Sequence, residues 1–201
     1  MAVYYPLFLD LTQRCCLVVG GGTVAERKVQ GLLEAGADVV VVSPTLTEAL
    51  LAWAGDSLLT YLPRPFRDED VRGCALVIAA TGDVEVNAHV AKTARHFGIW
   101  VNVVDTPAVC DFIAPAVVRR GALQIAISTG GRSPMLAKRL RQGLEALIGA
   151  EYGELADILG AMRTSVRYRG EPSEVWHAVF KRVIDASGLP LLKPAGNAEQ
   201  R

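Results

Sequence analysis

The sequence predicts an α/β chain: a parallel sheet covered on both faces by helices, then a small α+β region, then a helical segment. Three observations predict it. Short apolar runs alternate with helix-like stretches through the first half, a glycine cluster separates the first run from the first helix, and the alternation breaks near residue 113. The runs are Cys15–Val19, Asp38–Val42 and residues 58–62, 75–80 and 100–104. They are rich in β-branched residues and nearly free of charge, as strands buried on both faces are. Residues 23–35 and 84–97 read as helices, with Gly36 placed to end the first.

Beyond Asp105 two more β-rich runs, 112–118 and 123–128, flank Arg119-Arg120-Gly121-Ala122 and predict a hairpin or a pair of adjacent strands. Ser133-Pro134 then opens a helix, Ser as N-cap and Pro at the first helical position. Residues 154–166 and Ser173–Ala186 predict further helices, and the tail 189–201 a frayed end. This divides the chain into 1–113, a nucleotide-binding part, 114–149, a dimerisation region, and 150–201, a helical segment. Residues 112–128 are too apolar for an exposed strand pair, so a homodimer should cover them.

Composition narrows the function. Half of the 201 residues are apolar, enough for a sizeable core. Lys plus Arg equals Asp plus Glu at 21 each, so no global charge points to nucleic acid or a membrane surface. The apolar runs are too short to span a bilayer, and the N-terminus lacks a signal-peptide pattern, which implies a cytoplasmic protein. Cys15, Cys16, Cys74 and Cys110 form no CxxC pair and have no His at ligand spacing. Free thiols in a reducing compartment are expected, and no metal site.

The chemistry starts at Gly20-Gly21-Gly22-Thr23-Val24-Ala25, a G-x-G-x-x-A run between a strand and a helix, which is the context of a Rossmann dinucleotide loop. Gly20 allows the tight turn, Gly22 lets backbone approach a pyrophosphate, and Ala25 permits close helix–strand packing. The helix N-terminus offers free N–H groups to the phosphates. Where an acid often ends the second strand stands Ser43, whose hydroxyl can bond a ribose. No Arg lies between Ser43 and Thr60 to receive a 2′-phosphate, so NAD is expected rather than NADP. Thr81 and Asp105 each follow a strand and should lie on the ligand-binding rim. Asp105 reads equally well as a proton acceptor beside a hydride transfer or as a turn acid before Pro107. Asp111 reads as a solvated turn acid, and His89, His96 and His177 as surface or packing residues.

Several blocks resemble the precorrin-2 dehydrogenase family, the N-terminal module of sirohaem synthases, in order and spacing over residues 6–141. They are Pro6-Leu7-Phe8, Val18 through Lys28, Glu34-Ala35-Gly36-Ala37, Ala79-Ala80-Thr81 with Asn87, Val101 through Asp105, Phe112 through Pro115, and Ser128-Thr129-Gly130-Gly131-Arg132-Ser133-Pro134. The resemblance implies NAD-dependent oxidation of precorrin-2 to sirohydrochlorin by a homodimer, with Asp105 as the catalytic carboxylate. In members that insert iron, Fe2+ is a further substrate and the same acid serves. It also implies cofactor contacts at Thr23, Val24, Pro44 and Thr45, and it maps the hydroxyl residue before the paired glycines onto Thr129. A substrate ringed by carboxylates needs local cations, and Arg119, Arg120, Arg132, Lys138, Arg139 and Arg141 supply them in a neutral chain. Two alternatives stay open. Another Rossmann oxidoreductase with a small neutral substrate would not need that basic segment. A non-enzymatic NAD-sensing module would need neither Asp105 nor the block from Ser128 to Pro134.

Overall fold

The computed structural model describes residues 4–169 and 173–190. The chain separates into two compact units, Met1–Ala114 and Pro115–Arg201.

The first unit holds five parallel strands, β1 (Cys15–Val19), β2 (Asp38–Val42), β3 (Leu59–Leu62), β4 (Leu76–Ala79) and β5 (Trp100–Val103), in the order β3-β2-β1-β4-β5. Helices α1 (Thr23–Glu34), α2 (Glu48–Gly55) and α3 (Val84–His96) follow β1, β2 and β4, and a short 3-10 turn at Asp68–Val71 lies between β3 and β4. Alternation along β1 explains the two-faced cover. Cys16 and Val18 pack on one face with Ala25, Val29 and Leu32 of α1 and Leu50 of α2. Leu17 and Val19 pack on the other with Val90, Ala91 and Ala94 of α3. Both strand faces are therefore dry, which is why the strands read as continuous apolar runs. Truncating a fully buried side chain here, such as Leu17→Ala, would cost about 2–5 kcal/mol. The strand order reverses between β1 and β4, and that switch point is where an open α/β sheet leaves a crevice at its carboxyl end.

Helix α2 was not expected from periodicity. Thr47 caps it, its hydroxyl accepting from the Leu50 N–H at 3.3 Å. The run expected as a strand at 112–118 needs correction. Its strand, β6, spans Ala116–Arg120, and residues 112–115 belong to no strand. Phe112 instead packs on the core of the first unit, and its carbonyl accepts from the buried Asn102 Nδ2 at 2.9 Å. Pro115, without an N–H, cannot extend the ladder.

In the second unit β6 pairs antiparallel with β7 (Leu123–Ile127) through a turn at Gly121, which has φ 55°. Helices α4 (Pro134–Leu147), α5 (Ala150–Arg169) and α6 (Ser173–Ala186) follow. Ser133 caps α4 as expected, accepting from the Leu136 N–H at 3.2 Å, with Pro134 at the first turn. Helix α5 begins at Ala150, four residues before its expected start. Of the tail expected to fray, 191–201 lie outside the described residues.

Candidate active site

The crevice at the carboxyl end of the sheet contains two neighbouring cavities, both within the first unit. One, of about 900 Å³, is lined by Gly20–Gly22, Ser43, Pro44, Thr45 and Thr81 among others. The other, of about 880 Å³, is lined by Thr23, Val24, Lys92, Arg95, Val104 and Asp105 among others. They share Gly22, Ala80, Thr81 and Gly82. The expected cofactor set and the expected catalytic acid thus line one continuous rim.

Each glycine of the loop has a separate reason. Gly20 has φ +123°, and a Cβ there would lie 2.4 Å from the Ala80 carbonyl oxygen. A Cβ on Gly21 would lie 2.0 Å from the Thr45 carbonyl oxygen, a constraint invisible in the sequence because it comes from the β2–α2 connection. Gly22 has an ordinary φ of −85°, and a Cβ there would meet nothing within 4 Å. That open space lies at the N-terminus of α1, where no side chain caps the first N–H groups. Exposed amides at a positive helix end beside free volume fit a pyrophosphate.

Across the crevice, Asn87 holds the turn after β4. Its Nδ2 donates to the Thr81 carbonyl at 2.9 Å, and its Oδ1 accepts from the Thr81 N–H and hydroxyl at 3.2 and 2.8 Å. Ser43 is buried, and its hydroxyl donates to the Thr45 carbonyl at 2.7 Å, so it shapes the Pro44–Thr45 wall and keeps only acceptor capacity for a ribose. No Lys or Arg lines the cavity beside the glycine loop and Ser43. Arg64, which adjoins the lining residue Pro65, is held by Asp70 at 2.6 and 2.8 Å, and the exposed Arg67 adjoins Phe66.

Asp105 is exposed at the end of β5 and adopts φ +58°, a left-handed conformation unfavourable for a residue with a Cβ. Its carboxylate accepts no hydrogen bond from the described residues. Lys28 of α1 lies within its electrostatic reach. Burial pushes the Lys28 ammonium down from its ordinary value, Arg27 adds to this, and Cys110 and Asp105 oppose it. Lys28 stands within the glycine-loop block, where its spacing assigns it no role. No sequence signal marks Lys92, an exposed ammonium on the Asp105 cavity with no partner among the described residues. Asp111 is not simply solvated: it accepts from Arg95 at 3.0 and 3.1 Å and from the Val101 N–H at 3.0 Å, clamping the segment after β5. His89 pairs with Asp68 at 2.7 Å and His96 stacks edge-on with Phe97.

The expected substrate cations lie in the second unit. Arg119 and Arg120 are on β6, Arg132 in the glycine turn, and Lys138 on α4. Arg120 donates to the carbonyls of Arg119, Glu145 and Ile148 at 2.7–2.9 Å, so two of its donors serve the end of α4. The Thr129 hydroxyl accepts from the Ser133 N–H at 3.0 Å, tying the turn to the start of α4. Among the described residues no group of three His, Cys, Asp or Glu is placed to hold a metal ion.

Residues 7–116 match the family model described as putative NAD(P)-binding, and residues 120–147 that of the sirohaem biosynthesis protein central domain. A solved structure titled "SirC, precorrin-2 dehydrogenase" superposes with a TM-score of 0.75 at 30% identity, covering 90% of each chain. The chain belongs to the precorrin-2 dehydrogenase family. Among curated relatives, the "Siroheme synthase" of Thioalkalivibrio sulfidiphilus is 44% identical over 90% of this chain and 37% of its own length. That of Methylococcus capsulatus is 45% identical over 98% of this chain and 42% of its own. The chain therefore spans about two fifths of the length of these relatives. The family's nucleotide-binding model covers the whole rim just described, including the glycine loop, Thr81 and Asp105.

Proposed function

We propose that the chain oxidises precorrin-2 to sirohydrochlorin with NAD⁺. The observation that carries this is the continuity of the two cavities, which joins the glycine cradle to a free carboxylate at a strained turn. The nicotinamide, when bound, accepts the hydride. Gly22 and the first turn of α1, with Thr23 and Val24, hold the pyrophosphate. Ser43, Pro44 and Thr45 wall the ribose, and the lack of a cation along that wall favours NAD⁺ over NADP⁺. Thr81, set by Asn87, supports the rim beside the reacting carbon. Asp105 takes the proton released as the hydride leaves, its carboxylate accepting no hydrogen bond from the described residues. Lys92 offers an ammonium to a substrate carboxylate on the same cavity. Arg119, Arg120, Thr129, Arg132 and Lys138 are the further proposed substrate contacts, and Arg120 already spends three donors on backbone carbonyls.

Assembly belongs to the same reading. An isolated two-stranded sheet is marginal in water, and α4 leaves Met135, Leu136, Leu140 and Leu147 largely exposed in the single chain. A homodimer through residues 114–149 would cover both. An NAD-dependent enzyme with four free thiols fits the cytoplasm.

Anaerobic mixing with precorrin-2 and NAD⁺ tests the reaction by absorbance. Conversion to sirohydrochlorin is expected, and no spectral change would overturn it. Supplying Fe2+ with sirohydrochlorin tests the second half-reaction. Insertion above the uncatalysed rate that falls in Asp105→Asn would give the same carboxylate both roles. Insertion no faster than uncatalysed would make this a single-activity enzyme. Tighter calorimetric binding of NADP⁺ than NAD⁺ would refute the cofactor assignment, and a fully active monomer in sedimentation would refute the dimer.

A further inference from the structure

We propose that Cys15 and Cys74 are a redox-responsive pair that closes into a reversible disulfide, stapling β1 to β4 at the end of the sheet opposite the cofactor crevice. The two thiols are free, and their sulfurs lie 3.1 Å apart. Cys15 is the first residue of β1, and Cys74 stands two residues before β4. The Ala75 N–H donates to the Cys15 carbonyl at 2.7 Å, so Cys74 is one residue out of register with Cys15 on the neighbouring strand. Parallel strands about 4.8 Å apart with an offset of about 3.3 Å place the two Cα atoms about 5.8 Å apart, within the span of a disulfide. Closing the bond needs the sulfurs to approach by about 1 Å more.

The remaining cysteines are not competitors. Cys16 packs on the opposite face of the sheet, whereas Cys15 and Cys74 pack on the same face. Burial pushes the Cys16 thiol up to about 11. Cys110 sits at the other end of the sheet, its thiol donating to the Val103 carbonyl at 3.1 Å. Within the pair the roles differ by exposure. Cys74 is 8% exposed, and burial, reinforced by Cys15 beside it, raises its thiol well above the ordinary range. Cys15 is half-buried and reachable from solvent.

With glutathione disulfide as oxidant, the Cys15 thiolate attacks one glutathione sulfur. A mixed disulfide forms and one glutathione thiolate leaves. Cys74 then loses its proton and attacks the Cys15 sulfur, expelling the second glutathione. Two protein thiols are oxidised by two electrons, and one glutathione disulfide is reduced to two glutathione molecules. The bond closes a loop of 59 residues, so it restricts the unfolded chain strongly. Since both residues lie at the amino ends of their strands, the glycine loop and Asp105 stay open.

The test equilibrates the whole chain at graded ratios of reduced to oxidised glutathione, quenches with acid, alkylates free thiols and weighs the products. The wild-type chain is expected to lose two thiols in one step and to give a crosslinked Cys15–Cys74 peptide. Its thermal midpoint should rise by roughly 5–15 °C on oxidation. Cys15→Ser and Cys74→Ala should show neither change, while Cys16→Ser and Cys110→Ser should behave as wild type. NAD⁺ binding by each variant checks that it has folded. A stable glutathione adduct on Cys15 with Cys74 still alkylatable, a different pairing, or four free thiols at every ratio would overturn the proposal.

Discussion

The glycine loop after β1 and the turn after β5 both take the backbone to positive φ and fill that position with opposite residues. At Gly20 the left-handed backbone is filled by the residue that adopts it without strain, and a Cβ would strike the Ala80 carbonyl. At Asp105 the backbone is also left-handed, yet the position carries a carboxylate. Nothing in the packing asks for an acid there, since the side chain is exposed and accepts no hydrogen bond from the described residues. The first position is chosen by sterics. The second carries an exposed carboxylate on a left-handed backbone that Asp tolerates, and under the proposed function it is kept for what that side chain does.

Substitutions can break this contrast. The largest effect is expected from Asp105→Asn. Asn tolerates the left-handed region about as well as Asp, so the turn survives while the base is lost. Turnover of precorrin-2 should fall by about 10²–10⁴-fold with NAD⁺ affinity near wild type, and steady-state kinetics with calorimetry checks both. Undiminished turnover would leave Asp105 a turn residue.

Next comes Gly22→Val. Its φ suits any residue and its Cβ meets no atom, so the fold should hold while the side chain occupies the phosphate space. Losing two charge-assisted hydrogen bonds of about 1.5 kcal/mol each predicts NAD⁺ binding weaker by roughly 10²-fold. Unchanged affinity would move the pyrophosphate elsewhere. Gly21→Ala sharpens the comparison from the other side. Its Cβ would collide with backbone rather than ligand, so it should lower the stability of the apo chain by about 1–3 kcal/mol, read by denaturant unfolding.

The smallest effect lies outside both loops. Burial opposes ionisation of Asp70, but the Arg64 guanidinium and the Arg67 N–H outweigh it and hold the carboxyl below its ordinary 3.8. A depressed folded value stabilises above 3.8 and is lost as pH falls through the folded value. Wild-type melting temperature should therefore drop more steeply than that of Asp70→Asn on acidification below about pH 4. Parallel curves would show the pair contributes nothing.

Much was legible because it is local. Strand β1, helix α1 and the glycine loop follow from apolar runs, helical spacing and one turn, all within residues 15–34. Ser133 and Pro134 announced α4 for the same reason. What the sequence by itself determined was thus the layered architecture, the cradle and the position of Asp105 at a strand end. Only the tertiary structure decided the rest, because it depends on groups distant in the chain. The need for Gly21 comes from Thr45, the seat of Thr81 from Asn87, and the partner of Asp111 from Arg95. The apolar neighbours of Phe112 suggest a strand. Phe112 is claimed by the core of the first unit through Asn102, ten residues earlier. The approach of Cys15 to Cys74 needs the β1–β4 pairing itself, across a crossover that no periodicity records.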